Sequence, residues 1–509
     1  MSIKVFTGRV YTQFKPIKTV ECLIVSSGRV VYAGSIDVCE CVCRNTVCEE
    51  IDIRGVALPG FVDAHIHMDA LGVNLNTIDL RDVGSIDDVK KLLKIYGRKT
   101  IGGWIIGRGW SQERFAEKRL ITRCDIDESI TELPVLLVRV CGHLGTVNSK
   151  ALELLKLTEV FRNNPNMDAV DGIVKEEVLE YVWRKIDIDV DTYKRLLNDA
   201  QRHLLRYGIT SVGFLSAPVN IVPILISMNL EDTLRVRIHL YLDGVYGSIL
   251  KLAGFRRGFG DEFLRFMGIK IFIDGSLGAR TALLTSPYSD DPDNYGVERM
   301  PGDLLARILS EARDNDIDVA LHAIGDKALD IALSSIWETL SNNHTRIEHA
   351  SIVRDDQLDR LRGLRVAIQP YFVISDFWIV DRVGAERARY VYRIRSLVDR
   401  DIAVGFSTDA PVEEVDPWKT IYAAVTRGAF DGIELARYTY SESVDVREAL
   451  HLYTKGSSRV LLRTDIGCLE PGCLADINVV DRDPLELDIQ EIKRVRTLRT
   501  FVGGMESLF

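Results

Sequence analysis

The sequence has no apolar run approaching the roughly 18 residues of a membrane-spanning helix, so neither a helical membrane anchor nor a membrane partner is expected. Its opening residues, Met1-Ser2-Ile3-Lys4-Val5-Phe6, lack the apolar h-region of a secretory signal, and a cytoplasmic location is expected. A basic excess is also missing: lysine and arginine total 64 against 74 aspartate and glutamate, a formal net charge of −10. An acidic chain without a basic stripe does not suit a phosphate backbone, so nucleic acid is not expected as a partner. Cysteine is sparse and odd in number, nine in 509 residues, which does not describe the disulfide framework of a small secreted domain. No internal repeat or low-complexity tract is present. What remains is ordinary globular composition, 46% hydrophobic and 27% charged, too apolar for a mainly disordered chain. At about 150 residues per domain the length predicts about three structural units, one of them large if it is an α/β barrel.

Both ends of the chain read as short strands separated by turn residues. Val5–Gly8, Glu21–Val25, Arg29–Gly34 and Val56–Leu58 mark the start; Asp476–Val480 and Thr500–Gly504 mark the end. This predicts one small β domain built from residues 1–58 and 463–509. Four cysteines cluster there, Cys39, Cys41, Cys43 and Cys48. On a strand, alternation would put the first three on one face. The spacing does not match paired CxxC zinc ribbons, and thiols on a small sheet are expected. A Cys468–Cys473 disulfide is open if the source is a hyperthermophile.

The middle alternates apolar strands with helical patterns, which predicts βα units around a parallel sheet. Strands are expected at Gly60–His67, Ile209–Leu215, Arg237–Leu242, Gly268–Asp274, Asp318–Ile324, Thr345–His349, Arg365–Gln369 and Ala403–Asp409. Eight in series is the count of a TIM barrel. Its domain would comprise residues 59–72 and 198–462, with residues 73–197 an inserted α+β subdomain carrying its own strand, Val135–Val140.

The residues with chemistry fall at the ends of these strands. His65 and His67 lie at i and i+2, so both imidazoles face one way at the C-terminal end of the first strand, where TIM-barrel sites are built. In Gly268-Ile269-Lys270-Ile271-Phe272-Ile273-Asp274, the isoleucines form one face and Lys270, Phe272 and Asp274 the interior one. A lysine there is costly unless paired or neutral. It either pairs with Asp274 or another interior carboxylate, or loses its proton and adds carbon dioxide as a carbamate. His322, His349 and Asp409 each come late in a strand.

This ordered set resembles the amidohydrolase superfamily of metal-dependent hydrolases, and within it the branch containing N-substituted formamide deformylase. The resemblance spans nearly the whole chain. It includes Leu58–His67, Cys141-Gly142-His143 with Val147–Leu152, Asp274–Ala282, Gln369-Pro370, Ser407–Pro411 and Gly467–Asp476. It implies a (β/α)8 barrel beside a composite β-sandwich of both termini. It implies that His65, His67 and Asp409 bind one divalent metal, that His322 and His349 bind a second, and that a carbamylated Lys270 bridges them. Zinc suits an imidazole-rich site, and iron, manganese, cobalt or nickel are also accepted in such sites. Asp409 would serve as general base and acid in hydrolysis of a C–N bond of an amide- or formamide-like small molecule. His143 would stabilise the oxyanion or hold substrate. Glu176 would contact substrate or compete with Lys270 for the bridge, and Trp104, Trp110, Trp378 and Arg427 are candidate pocket residues. A homodimer is also implied. The alternatives are a one-metal deaminase or cyclic-amide hydrolase of the same superfamily, and a non-catalytic scaffold relative, which would have substituted ligands.

Overall fold

A computed structural model of the chain describes residues 3–97, 100–139 and 144–507. The chain divides into two compact units, one formed by Met1–Met68 with Gln201–Phe509 and the other by Asp69–Ala200. Among the described residues, no helix is long and apolar enough to cross a membrane.

In the larger unit eight parallel strands lie side by side in chain order. They are Phe61–Ile66, Ile209–Ala217, Arg237–Asp243, Leu264–Phe272, Asp318–Ala323, Thr345–His349, Arg365–Ile368 and Ala403–Phe406. The eighth returns to the first, where Asp409 N–H donates to His65 O at 2.9 Å and His67 N–H to Ala410 O at 2.8 Å. The result is a (β/α)8 barrel. Strands covered on both faces read as apolar runs, and the fifth, Asp318–Ala323, is buried throughout. Its interior Asp318 is satisfied by Tyr241 Oη at 2.7 Å and Arg365 Nη1 at 3.0 Å.

The same unit carries a seven-stranded sheet made from both ends of the chain. Its order is Met505–Ser507, Thr497–Val502, Ile477–Val480, Cys48–Pro59, Ile3–Phe14, Ile17–Ser26 and Arg29–Gly34. Phe6 and Phe501 meet edge to face in its core, 5.0 Å between ring centroids. A buried two-point ion pair, Arg237 to Asp476 at 2.7 and 2.9 Å, ties the third barrel strand to this sheet. The cysteine cluster departs from expectation. Ile36–Asn45 is a helix rather than a strand, because Ile36, Cys39, Val42 and Cys43 recur at helical spacing and pack on Val5, Cys22 and Ile24. Asp37 in its first turn and Arg44 in its last match the helix dipole. Cys39 is bonded to Cys22, Cys43 to Cys48, and Cys468 to Cys473.

The smaller unit has a six-stranded sheet in the order Met167–Asp168, Ile173–Lys175, Leu144–Val147, Val135–Arg139, Ile105–Trp110, Ile78–Asp79. Asn148 organises one end of it. Its side chain accepts from Val135 N at 3.0 Å and from Ala151 N at 3.1 Å, capping the helix Ser149–Leu155.

Candidate metal centre

His65 and His67 leave the first barrel strand on the same side and face Asp409, which follows the eighth. Asp409 Oδ1 lies 3.3 Å from His65 Nε2 and 3.2 Å from His67 Nε2. One ligand atom from each of the three lies within 4.8 Å of the others. The rings of His65 and His349 are 5.1 Å apart, and those of His349 and His322 are 4.4 Å apart. Lys270, on the fourth strand, lines the same cavity of about 430 Å³ with the four histidines and Asp409.

Each imidazole has one nitrogen assigned to a protein acceptor. His65 Nδ1 lies 2.6 Å from Glu348 Oε2, His67 Nδ1 3.0 Å from Leu215 O, and His349 Nδ1 2.9 Å from Gln369 Oε1. His322 reverses the pattern, with Nε2 2.9 Å from Gly275 O. A ring that donates through one nitrogen presents a lone pair on the other, and outer partners of this kind are what orient metal-bound histidines. Burial, reinforced by nearby positive charge, holds His65, His322 and His349 well below the usual histidine pKa. All three are therefore neutral at neutral pH, the form that ligates.

The donor set fits a divalent cation on its own structural terms. His65 Nε2, Lys270 Nζ and Asp409 Oδ1 are buried polar atoms without a hydrogen-bond partner among the described residues, a costly state unless something binds them. Burial lowers the Lys270 pKa to about 8, bringing the reactive neutral amine within physiological reach. Lys270 is not hydrogen-bonded to Asp274, whose carboxylate instead accepts N–H groups of Leu283, Ile324 and Gly325 at 2.9, 3.1 and 2.8 Å. The backbone is strained at two of these positions: His349 has φ of 72° and Asp409 of 56°, conformations that cost non-glycine residues energy and recur at functional sites.

Of the other predicted site residues, Arg427 and Trp378 belong to the larger unit, and Trp104, Trp110 and Glu176 to the smaller. Arg427 is fully buried outside the cavity lining; its Nη2 donates to Val391 O at 3.4 Å, next to the lining residue Tyr392. Trp104 is buried in the core of the smaller unit with Ile106, Leu136 and Val178, and Trp110 donates Nε1–H to Leu137 O there at 3.0 Å. Glu176 opens the helix Glu176–Lys185 of that unit, exposed, with φ of 43°. His143 lies outside the described residues. Trp378 lines the cavity with Phe372, Leu277, Asp376 and Glu413.

Three residues around the centre carry no role in the sequence reading: Glu348, Gln369 and Asp63. Asp63 joins the first and eighth strands by accepting Thr408 Oγ1 at 2.7 Å and Tyr453 Oη at 3.1 Å. Gln369 hands Nε2–H to Ser407 Oγ at 2.9 Å. Glu348 is hidden by alternation, which assigns neighbours on a strand to opposite faces. The positive φ of His349 ends that rule one residue too soon.

A barrel whose strand ends converge four histidines, a lysine and an aspartate on one cavity has the donor set of a candidate hydrolytic metal centre. The chain belongs to the amidohydrolase family, which residues 49–506 match. It is similar to an uncharacterized metal-dependent hydrolase from Pyrococcus horikoshii OT3, 40% identical, TM-score 0.87, with 96% of this chain and 99% of that one covered. An uncharacterized metal-dependent hydrolase from Pyrococcus furiosus is 39% identical, TM-score 0.86, with 95% and 100% covered. The N-substituted formamide deformylase of Arthrobacter pascens is 24% identical, covering 95% of this chain and 94% of its own length.

Proposed function

We propose that the protein is a metal-dependent hydrolase that cleaves the C–N bond of an amide- or formamide-like small molecule. The observation that carries the reading is the convergence of four individually oriented imidazoles and Asp409 on one cavity beside a buried Lys270 without a hydrogen bond. Similarity to a formamide deformylase supports the bond type. A divalent cation, with zinc the best match to the donor set, would when bound supply a hydroxide at neutral pH and polarise the scissile carbonyl.

The protein's own groups do the rest. His65, His67 and Asp409 would hold one ion and His322 with His349 a second. Neutral Lys270 would add carbon dioxide at Nζ, releasing a proton, and the resulting carbamate would offer anionic oxygen ligands to bound metal. Asp409 accepts the proton of the attacking water and returns it to the leaving nitrogen. The apolar wall of Leu277, Phe372 and Trp378 receives the organic part of the substrate and excludes bulk water. A one-metal reading is favoured by one observation: among the described residues of the cavity lining, His65, His67 and Asp409 are the ones that form a compact trio within 4.8 Å.

The test is a screen of N-substituted formamides and simple amides with zinc-loaded protein, scored by amine release. Release of the amine that disappears in Asp409→Asn supports the reading. Ammonia from amino-substituted heterocycles, with formamides and amides untouched, overturns it in favour of a deaminase.

A further inference from the structure

We infer that Glu348 is a positioning residue for the metal centre: it sets the tautomer and tilt of His65, while Arg346 locks Glu348 and the His65 strand together. The inference rests on the metal reading above and adds a residue to it.

His65 is sealed from solvent, its side chain 1% exposed, and Glu348 is 0% exposed. Their 2.6 Å contact joins Nδ1 to Oε2. A carboxylate accepts and does not donate, so the single ring hydrogen of a neutral imidazole sits on Nδ1. Nε2 is then a bare lone pair. It faces Asp409 Oδ1, another acceptor, at 3.3 Å, and among the described residues neither atom has a hydrogen-bond partner. Two buried acceptors held this close repel each other unless a cation joins them. Glu348 thus converts His65 from a residue that could donate to Asp409 into one that cannot.

Glu348 has little freedom of its own. Arg346 Nε reaches Oε1 at 2.5 Å and Nη2 reaches Oε2 at 2.9 Å, the two-point geometry that fixes a carboxylate plane. Arg346 Nη2 also donates to Ala64 O at 2.8 Å, immediately before His65. One guanidinium therefore holds both the carboxylate and the backbone that carries the imidazole. Its other side lies 5.2 Å from the Tyr241 ring.

A purely structural ion pair would look similar, and the barrel offers a built-in control. Asp318 and Arg365 form a second buried pair in the same barrel, with contacts of 2.5 and 3.0 Å, and neither lines the metal cavity. The experiment is equilibrium competition for zinc between a chromogenic chelator and the full-length protein, made metal-free beforehand. Glu348→Gln is expected to bind zinc about 10- to 100-fold more weakly, and its cobalt-substituted form should show altered visible bands. Asp318→Asn is expected to lower the melting temperature but keep wild-type zinc affinity. Wild-type affinity in Glu348→Gln, or an equal loss in Asp318→Asn, overturns the inference. If Glu348→Gln is not recovered folded, Glu348→Asp carries the test: its shorter reach should weaken zinc binding, and unchanged affinity overturns the inference. A wild-type protein that takes up no zinc overturns the metal reading itself, and this inference with it.

Discussion

Lys270 has the least comfortable surroundings in the centre. Its amine is buried without a hydrogen bond, and the cost of charging it there pulls its pKa down to about 8. A structural lysine would have a carboxylate within reach; Asp274, the nearest candidate by sequence, is instead occupied by three backbone N–H groups. Lys270→Ala is therefore expected to fold and to lose one metal ion per chain, measured by elemental analysis. Undiminished stoichiometry would take the bridging role away from Lys270. His65→Ala and Asp409→Asn should retain the far-ultraviolet circular dichroism of the fold. They should lose at least about 100-fold in kcat/KM, the lower end of what a missing acid–base group costs. Near-native turnover in either, with metal bound, would contradict the roles given to them.

Elements explain what the sequence revealed and what it withheld. The barrel strands were legible because each is a short apolar run closed by a turn. The fifth and sixth begin at Asp318 and Thr345 as expected, while the fourth begins at Leu264, earlier than Gly268. His65 and His67 were legible because two-residue alternation needs no tertiary information. The partners that orient the imidazoles were not, since Leu215 O at His67 and Gly275 O at His322 are backbone atoms and Glu348 reaches His65 from 283 residues away. The cysteine-rich helix Ile36–Asn45 was misread because alternate cysteines satisfy strand and helix patterns alike over so short a span. Around the cavity mouth, the segments bearing Trp378 and Glu413 supply two further predictions. Trp378→Ala should raise KM more than it lowers kcat for substrates with bulky apolar groups, the signature of lost uniform binding; an unchanged KM would take Trp378 out of recognition. Burial raises the Glu413 carboxyl to about 7. The folded state therefore holds a proton that the unfolded chain releases above its ordinary pKa of about 4.3, so stability from this group falls as pH rises from there to about 7. Glu413→Gln should flatten that part of the melting-temperature profile, and an identical slope in variant and wild type would contradict the assignment.

At the scale of the molecule, the larger unit contains both the barrel and the whole set of six converging side chains. Its terminal sheet is joined to the barrel by the buried Arg237–Asp476 pair, so the ends of the chain brace the catalytic barrel rather than form a separate appendage. The smaller unit has its own sheet and two apolar clusters, and the Asn148 cap shows that part of the family-like pattern there serves folding. A protein that belongs to the amidohydrolase family and keeps every one of these six side chains is expected to load metal. The most direct measurement is elemental analysis of the full-length protein after reconstitution with zinc and bicarbonate. About two ions per chain is the predicted result, and no bound metal after reconstitution would contradict the account.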